Sequence, residues 1–183
     1  MHFFSAALAF TAATLASANT LTFVNQDSTP RKVIITPSEG HEQINSVDVE
    51  GNGQATVDFP QGWIGNAYSV SEGSEDKPGM LAEVTFQGWG GSTYYDVSAI
   101  VDATDNNGVK EMYPASQEGS ADKSSFSGCK DFPCDTAYYH PDDIQTVVTE
   151  ETDIIVTLGS ASNVQAREEK IKYVPRKYVL GKF

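Results

Sequence analysis

The 183-residue chain has little from which to build a metal, redox or covalent centre. Cysteine occurs twice, at Cys129 and Cys134, and histidine three times, at His2, His41 and His140. Two cysteines with one nearby histidine, His140, make a poor zinc constellation, because a structural zinc asks for four ligands. No G-x-S-x-G turn is present to expose a nucleophilic serine. The run Gly88-Trp89-Gly90-Gly91 has no lysine or helix start behind it, which excludes a phosphate loop. Asp102, Asp105 and Asn106 lack the spacing to a bidentate glutamate that a calcium hand requires. No Asn-x-Ser/Thr acceptor occurs, so N-glycosylation is not expected. The sequence therefore predicts neither a metal nor a cofactor.

Positive charge is also scarce, at 12 Lys and Arg against 25 Asp and Glu. Six of the bases fall in the stretch Arg167–Phe183, beside only two acids, so residues 19–166 carry 23 acids and six bases. Such a body repels nucleic acid and anionic membranes, and no nucleic-acid partner is expected. The same acidity also keeps a protein soluble. The basic end, residues 161–183, is either an attachment to anionic wall polymers or membranes, or a solvated terminal extension.

Apolar runs are short. The longest, Phe3–Leu15, is too brief to cross a bilayer and precedes Ala16-Ser17-Ala18, a small-x-small cleavage pattern. Residues 1–18 are predicted to be a secretory signal peptide, and no transmembrane segment is expected. Export to an oxidising compartment makes a Cys129–Cys134 disulfide the default, with a metal site or a reactive thiol as the alternatives. A bridge over so small a loop contributes at most about 2 kcal/mol, so it pins a loop and does not hold the fold.

What the sequence does contain is short β runs separated by turn residues. Thr20–Asn25, Lys32–Thr36, Ser46–Val49, Gln54–Phe59, Ala67–Val70, Leu81–Gln87, Thr93–Ala99 and Asp153–Leu158 are β-branched, aromatic or alternating, with Gly, Asn, Pro or Ser at their ends. Strands at this spacing predict an all-β sandwich of one domain over residues 19–160. Between Asp102 and Pro141 the text becomes rich in Ser, Asp, Lys and Gly and reads as a long loop around the cysteines. Val164–Tyr173 is compatible with a short helix stopped by Pro175.

Several stretches resemble thaumatin-like proteins in their small, cysteine-poor fungal form. They are Thr20-Leu-Thr-Phe-Val-Asn25, Asp58-Phe-Pro-Gln-Gly-Trp63, Met80-Leu-Ala-Glu83-Val-Thr-Phe86, Thr93-Tyr-Tyr-Asp96-Val-Ser98 and Pro133-Cys134 with Ala137-Tyr138 and Asp142-Asp143. The resemblance implies a thaumatin-like β-sandwich with a reduced loop region in place of the family's second domain. It also implies an acidic cleft, carried over onto Glu83, Asp96, Asp102 and Asp142. Asp102 stands one residue further from Asp96 than the family spacing. The family's arginine-rich segment is missing, since the chain reads Ala67-Tyr68-Ser69-Val70 there.

Residue chemistry bears on the same acids. If the Gly88–Ser92 stretch turns an antiparallel hairpin, Glu83 and Asp96 can share a face, because side chains alternate along a strand. Two opposed carboxyls are what glycoside hydrolysis requires. Trp89, Tyr94 and Tyr95 lie close in sequence and offer rings for a sugar to stack on. The plainer reading of such acids is solvated or base-paired strand positions. The resulting expectation is a secreted, monomeric, cell-wall-associated protein. It would bind β-1,3-glucan around Glu83 and Asp96 and, by the resemblance, act in wall remodelling during spore germination. The alternatives are a weak endo-β-1,3-glucanase using the two acids, and an antifungal factor or adhesin that binds another organism's surface.

Overall fold

A computed structural model describes residues 19–120 and 124–160. The proposed signal peptide, the helix at 164–173 and the basic tail lie outside the described residues. Among the described residues no helix is long and apolar enough to cross a membrane.

The chain builds two sheets. The first has five strands in the order β4-β1-β11-β8-β9: Gln54–Phe59, Asn19–Asn25, Asp153–Leu158, Val109–Pro114 and Ser127–Gly128. The second has six in the order β10-β7-β6-β5-β2-β3: Val147–Thr149, Thr93–Ser98, Leu81–Thr85, Ile64–Ser71, Arg31–Pro37 and Val47–Val49. β1 sits antiparallel to β4 and parallel to β11. The alternation read in the sequence is real: along β1 every second residue, from Asn19 to Asn25, is buried. The inward residues of both sheets form one core, with Phe23, Ile154, Val156 and Met112 from the first and Val33, Ala82, Val84, Tyr95 and Val97 from the second. Its aromatic centre is Phe59, 4.7 Å from the Trp63 ring and 5.4 Å from the Phe86 ring. The Trp63 indole N–H donates to the Glu42 carbonyl at 2.8 Å, so the ring is buried without stranding its polar end. A side chain at Gly65 would run into the Thr36 carbonyl and the Trp63 ring, so only glycine admits this packing.

The long loop expected between Asp102 and Pro141 is corrected by β8 and β9. Every residue of β8 is buried although it reads Val-Lys-Glu-Met-Tyr-Pro. Lys110 is the cause of the disguise. Its ammonium lies 5.3 Å from the centre of the Phe132 ring and donates to Asn106 Oδ1, so a charged residue is accommodated in a central strand. Its carbonyl accepts the Cys129 N–H at 2.9 Å. The loop closed by the Cys129–Cys134 disulfide, with Cα atoms 6.4 Å apart, is therefore docked on β8.

One end of the sandwich is tied by a buried arginine. Arg31 donates through Nη1 and Nη2 to both oxygens of Asp27 at 2.8 Å, through Nη1 to Asn25 Oδ1 and the Thr29 carbonyl, and through Nε to the Asn107 carbonyl. This hydrogen-bonded guanidinium holds the Asp27 carboxyl down at about 2, well below its ordinary 3.8. Asp27 Oδ2 also accepts the Ser160 N–H, and the Gly159 N–H reaches the Gly108 carbonyl. The turn between β1 and β2, the loop entering β8 and the exit of β11 thus meet around this one cation.

Removing one partner of a buried ion pair is expected to cost about 3–5 kcal/mol, so Arg31→Ala should lower the urea-unfolding free energy by that amount. Cys129→Ser with Cys134→Ser should cost at most about 2 kcal/mol and leave the far-ultraviolet circular dichroism unchanged, because the bridge closes a small loop.

Candidate functional site

The β6–β7 hairpin sets the site. Its register places Glu83 directly opposite Asp96, and alternation turns both side chains away from the core between buried Ala82 and Val84 and between buried Tyr95 and Val97. The same cross-strand row continues through Asn66 on β5 to Thr36 on β2. On the other side, Val147 pairs with Tyr95, which brings Thr146 beside Asp96. The outer face of the six-stranded sheet thus carries a polar row centred on two carboxyls.

Glu83 and Asp96 face one another across the hairpin, and the Thr146 hydroxyl donates to Asp96 Oδ2 at 3.3 Å. Thr146 Oγ1 in turn shares a 2.7 Å hydrogen bond with the Tyr138 hydroxyl. Asp96 is pushed up from 3.8 to about 7, first by burial and then by the charge of the facing Glu83, against a smaller opposing pull from Thr146. Asp96 Oδ1 is buried with no N–H or hydroxyl donor. The facing charge of Glu83 favours the protonated form of Asp96.

Aromatic groups flank the row. Tyr94, two residues from Asp96 and on the same face, donates its hydroxyl to the Trp89 carbonyl at 3.0 Å. That bond holds the hairpin tip, where Trp89 is 88% exposed between glycines. Tyr68 also faces outward and donates to Asp76 at 3.0 Å.

The structure places Glu83, Asp96 and Tyr94 on one face of the hairpin with Trp89 at its tip, and separates the remaining expected residues. Tyr95 is a correction: it points into the core, 1% exposed, and donates to the Ser125 carbonyl at 2.8 Å. One step along a strand moves a side chain to the opposite face, so Tyr94 and Tyr95 cannot share a cleft. Asp102 belongs to the loop after β7, where its Oδ1 accepts the Thr104 N–H and hydroxyl. Asp142 is exposed on the loop before β10, where the neighbouring Asp143 accepts the Tyr139 and His140 N–H groups. Neither Asp102 nor Asp142 contributes to the environment of Asp96. Thr146, Tyr138 and Asn66 were missed. Nothing local marks Thr146, since its role depends on the pairing of β10 with β7. Among the described residues no group of three or more His, Cys, Asp or Glu is placed to hold a metal.

A two-sheet sandwich with two facing carboxyls on an outer sheet face defines the class of protein. No protein-family model matches the chain. It is 46% identical over 142 residues to the antigenic protein SchS21 of Stachybotrys chartarum, a match that covers 78% of this chain and 95% of that protein. The chain belongs to the family of that antigenic protein. Among solved structures, the protein elicitor MoHrip2 of Magnaporthe oryzae has the same fold, with a TM-score of 0.57 at 14% identity over 78% of this chain and all of that one.

These findings overturn the thaumatin-like resemblance. The relative is an antigenic protein, the structural neighbour is an elicitor of a different fold family, and nothing points to thaumatin-like proteins. The stretches that carried the resemblance, residues 80–86 and 93–98, form a hairpin with a glycine-rich turn. Such a motif reports local strand and turn chemistry and leaves the fold's ancestry open.

Because the folded state holds the Asp96 proton more tightly than the unfolded chain does, its contribution to stability is greatest below about 3.8. It falls as pH rises toward about 7. Thermal melts should therefore show a melting temperature that declines across that window, and Asp96→Asn should flatten the decline and melt higher than the native protein at alkaline pH.

Proposed function

We propose that the protein is secreted and binds a neutral wall polysaccharide of the β-1,3-glucan kind along the outer face of the six-stranded sheet, without cutting it. The observation that carries this reading is the Glu83–Asp96 pair, facing one another in a polar row with Tyr94 on the same face and Trp89 at the hairpin tip. Sugar hydroxyls donate to carboxylate oxygens and accept from carboxylic protons, and Asp96, raised to about 7, offers both forms near neutral pH. Aromatic rings at the margin provide apolar faces for the pyranose ring. An open sheet face suits a polymer that passes over it better than a closed cavity would. Extracellular placement draws support from the Cys129–Cys134 disulfide, which persists in an oxidising compartment, and from the antigenic nature of the relative.

The pair's placement argues against the glucanase alternative. Glycosidases hold their two carboxyl groups on either side of the scissile bond, with the sugar between them. Glu83 and Asp96 stand directly opposite on one face of a sheet, not on opposing walls. The role in germination followed from the overturned resemblance, and no feature of the site carries it.

A second reading has its own support. SchS21 is described as antigenic, and Trp89 stands 88% exposed on a hairpin tip, as a residue that buries itself in a partner would. In this reading the tip contacts a protein on another organism's surface.

Co-sedimentation with insoluble β-1,3-glucan, together with a reducing-sugar assay, tests these readings. The expected result is binding without sugar release, weakened about tenfold in Trp89→Ala, the size of a lost stacking contact. Asp96→Asn with Glu83→Gln should also weaken it. Released sugar that disappears in the double variant would establish the enzyme instead. Failure to bind glucan at any pH would remove the polysaccharide reading and leave the hairpin tip as a protein contact.

A further inference from the structure

A separate pocket lies at the end of the sandwich tied by Arg31, between the turn after β5 and the loop after β7. Its volume is about 230 Å³, and Ser69, Glu75, Lys77, Asp102 and Asn107 contribute to its walls. This is where Asp102 goes, having been separated from the carboxyl pair. The walls are held from behind. Asp105 accepts the Asn107 and Gly108 N–H groups through Oδ1 and the Met80 N–H through Oδ2, at 2.9–3.0 Å. A side chain at Gly79 or Gly108 would strike that carboxylate, so both glycines are required for the brace. Arg31 Nε fixes the Asn107 carbonyl at 3.0 Å. The pocket is therefore preformed, and a ligand entering it would not have to order these loops first.

Ser69 is the residue that the fold does not explain. It lies on β5, is only 9% exposed, and its hydroxyl is buried with no hydrogen-bond partner. Buried hydroxyls in folded proteins are nearly always paired, so an orphan on a pocket wall calls for a partner from outside the chain. The rest of the lining limits what that partner is. Glu75 and Asp102 are acidic, and the ammonium of Lys77 is 3.8 Å from Glu75. An anion would meet repulsion there. The small volume excludes a polymer passing through and matches a single ring.

We propose that this pocket is a second ligand site that takes one neutral, hydroxyl-bearing ring, such as a terminal sugar residue, with a ligand hydroxyl satisfying Ser69 and another donating to Asp102. The site is independent of the outer-face row, and each stands without the other.

Proton–nitrogen NMR spectra of the full secreted chain test it directly, with glucose and N-acetylglucosamine as neutral single-ring probes and glucuronate as the anionic control, each titrated through the millimolar range. Saturable shifts at Ser69, Asn107 and Gly108 with a neutral probe, and none with glucuronate, are expected. Ser69→Ala should weaken the affinity about fivefold, the size of one lost hydrogen bond. Ser69→Val should abolish the shifts while leaving the remaining spectrum native. Asp102→Asn, on an exposed loop that tolerates the change, should weaken binding without altering the melting temperature. Absence of saturable shifts with both neutral probes would overturn the proposal. So would equal binding of glucuronate, or binding that Ser69→Val and Asp102→Asn leave untouched.

Discussion

The buried Arg31 guanidinium is the interaction on which the rest of this structure depends. A charge taken out of water is tolerated when its donors find acceptors, and here they are divided among Asp27, Asn25, Thr29 and Asn107. These groups lie on the turn between β1 and β2 and on the loop entering β8. Asp27 extends the tie to Ser160, at the exit of β11. One cation thus fixes how the two sheets meet at that end. The shape of the end pocket and the placement of β8 between β11 and β9 follow from it.

Asp96 departs from the usual treatment of charge in a second way. Arg31 has an acid beside it, whereas Asp96 has another acid. In a protein with 25 acids and 12 bases, many carboxyls must do without a cation, and most do so by facing water. Asp96 does so by being held toward its protonated form, at a position where the sheet partly withdraws it from solvent. Strand pairing enforces the arrangement, because residues directly opposite on an antiparallel pair have nowhere else to put their side chains. A like-charged pair opposite one another is destabilising when both are ionised.

Much of the fold was legible because β structure writes itself as period two. Thr20–Asn25 and Asp153–Leu158 show the alternation or the β-branched run that burial on a sheet requires, and both became strands. β8 was illegible for a physical reason: its Lys110 and Glu111 read as surface residues. The ring of Phe132 and Asn106 accommodate the Lys110 ammonium, and the Thr157 hydroxyl accepts the Glu111 N–H at 3.0 Å. β10 is too short to announce itself, and it is defined by its pairing with β7. The site divides in the same way. Glu83 opposite Asp96 follows from two strands and a tight turn between them. The exclusion of Tyr95 follows from alternation, which the sequence contained but which proximity in the text obscured.

By itself the sequence determined the class of architecture, the hairpin that opposes two acids, the local disulfide and the acidity of the body. All of these rest on residues near one another along the chain, where strand period, turn chemistry and loop closure act. The tertiary structure alone decided which acids meet, because Asp102 and Asp142 are carried away on loops whose course depends on distant contacts. It alone placed Thr146 against Asp96, since that contact forms between strands far apart in the chain. It alone left Ser69 unpartnered at the wall of a pocket, because burial and hydrogen-bond satisfaction are properties of the packed chain and have no local signature.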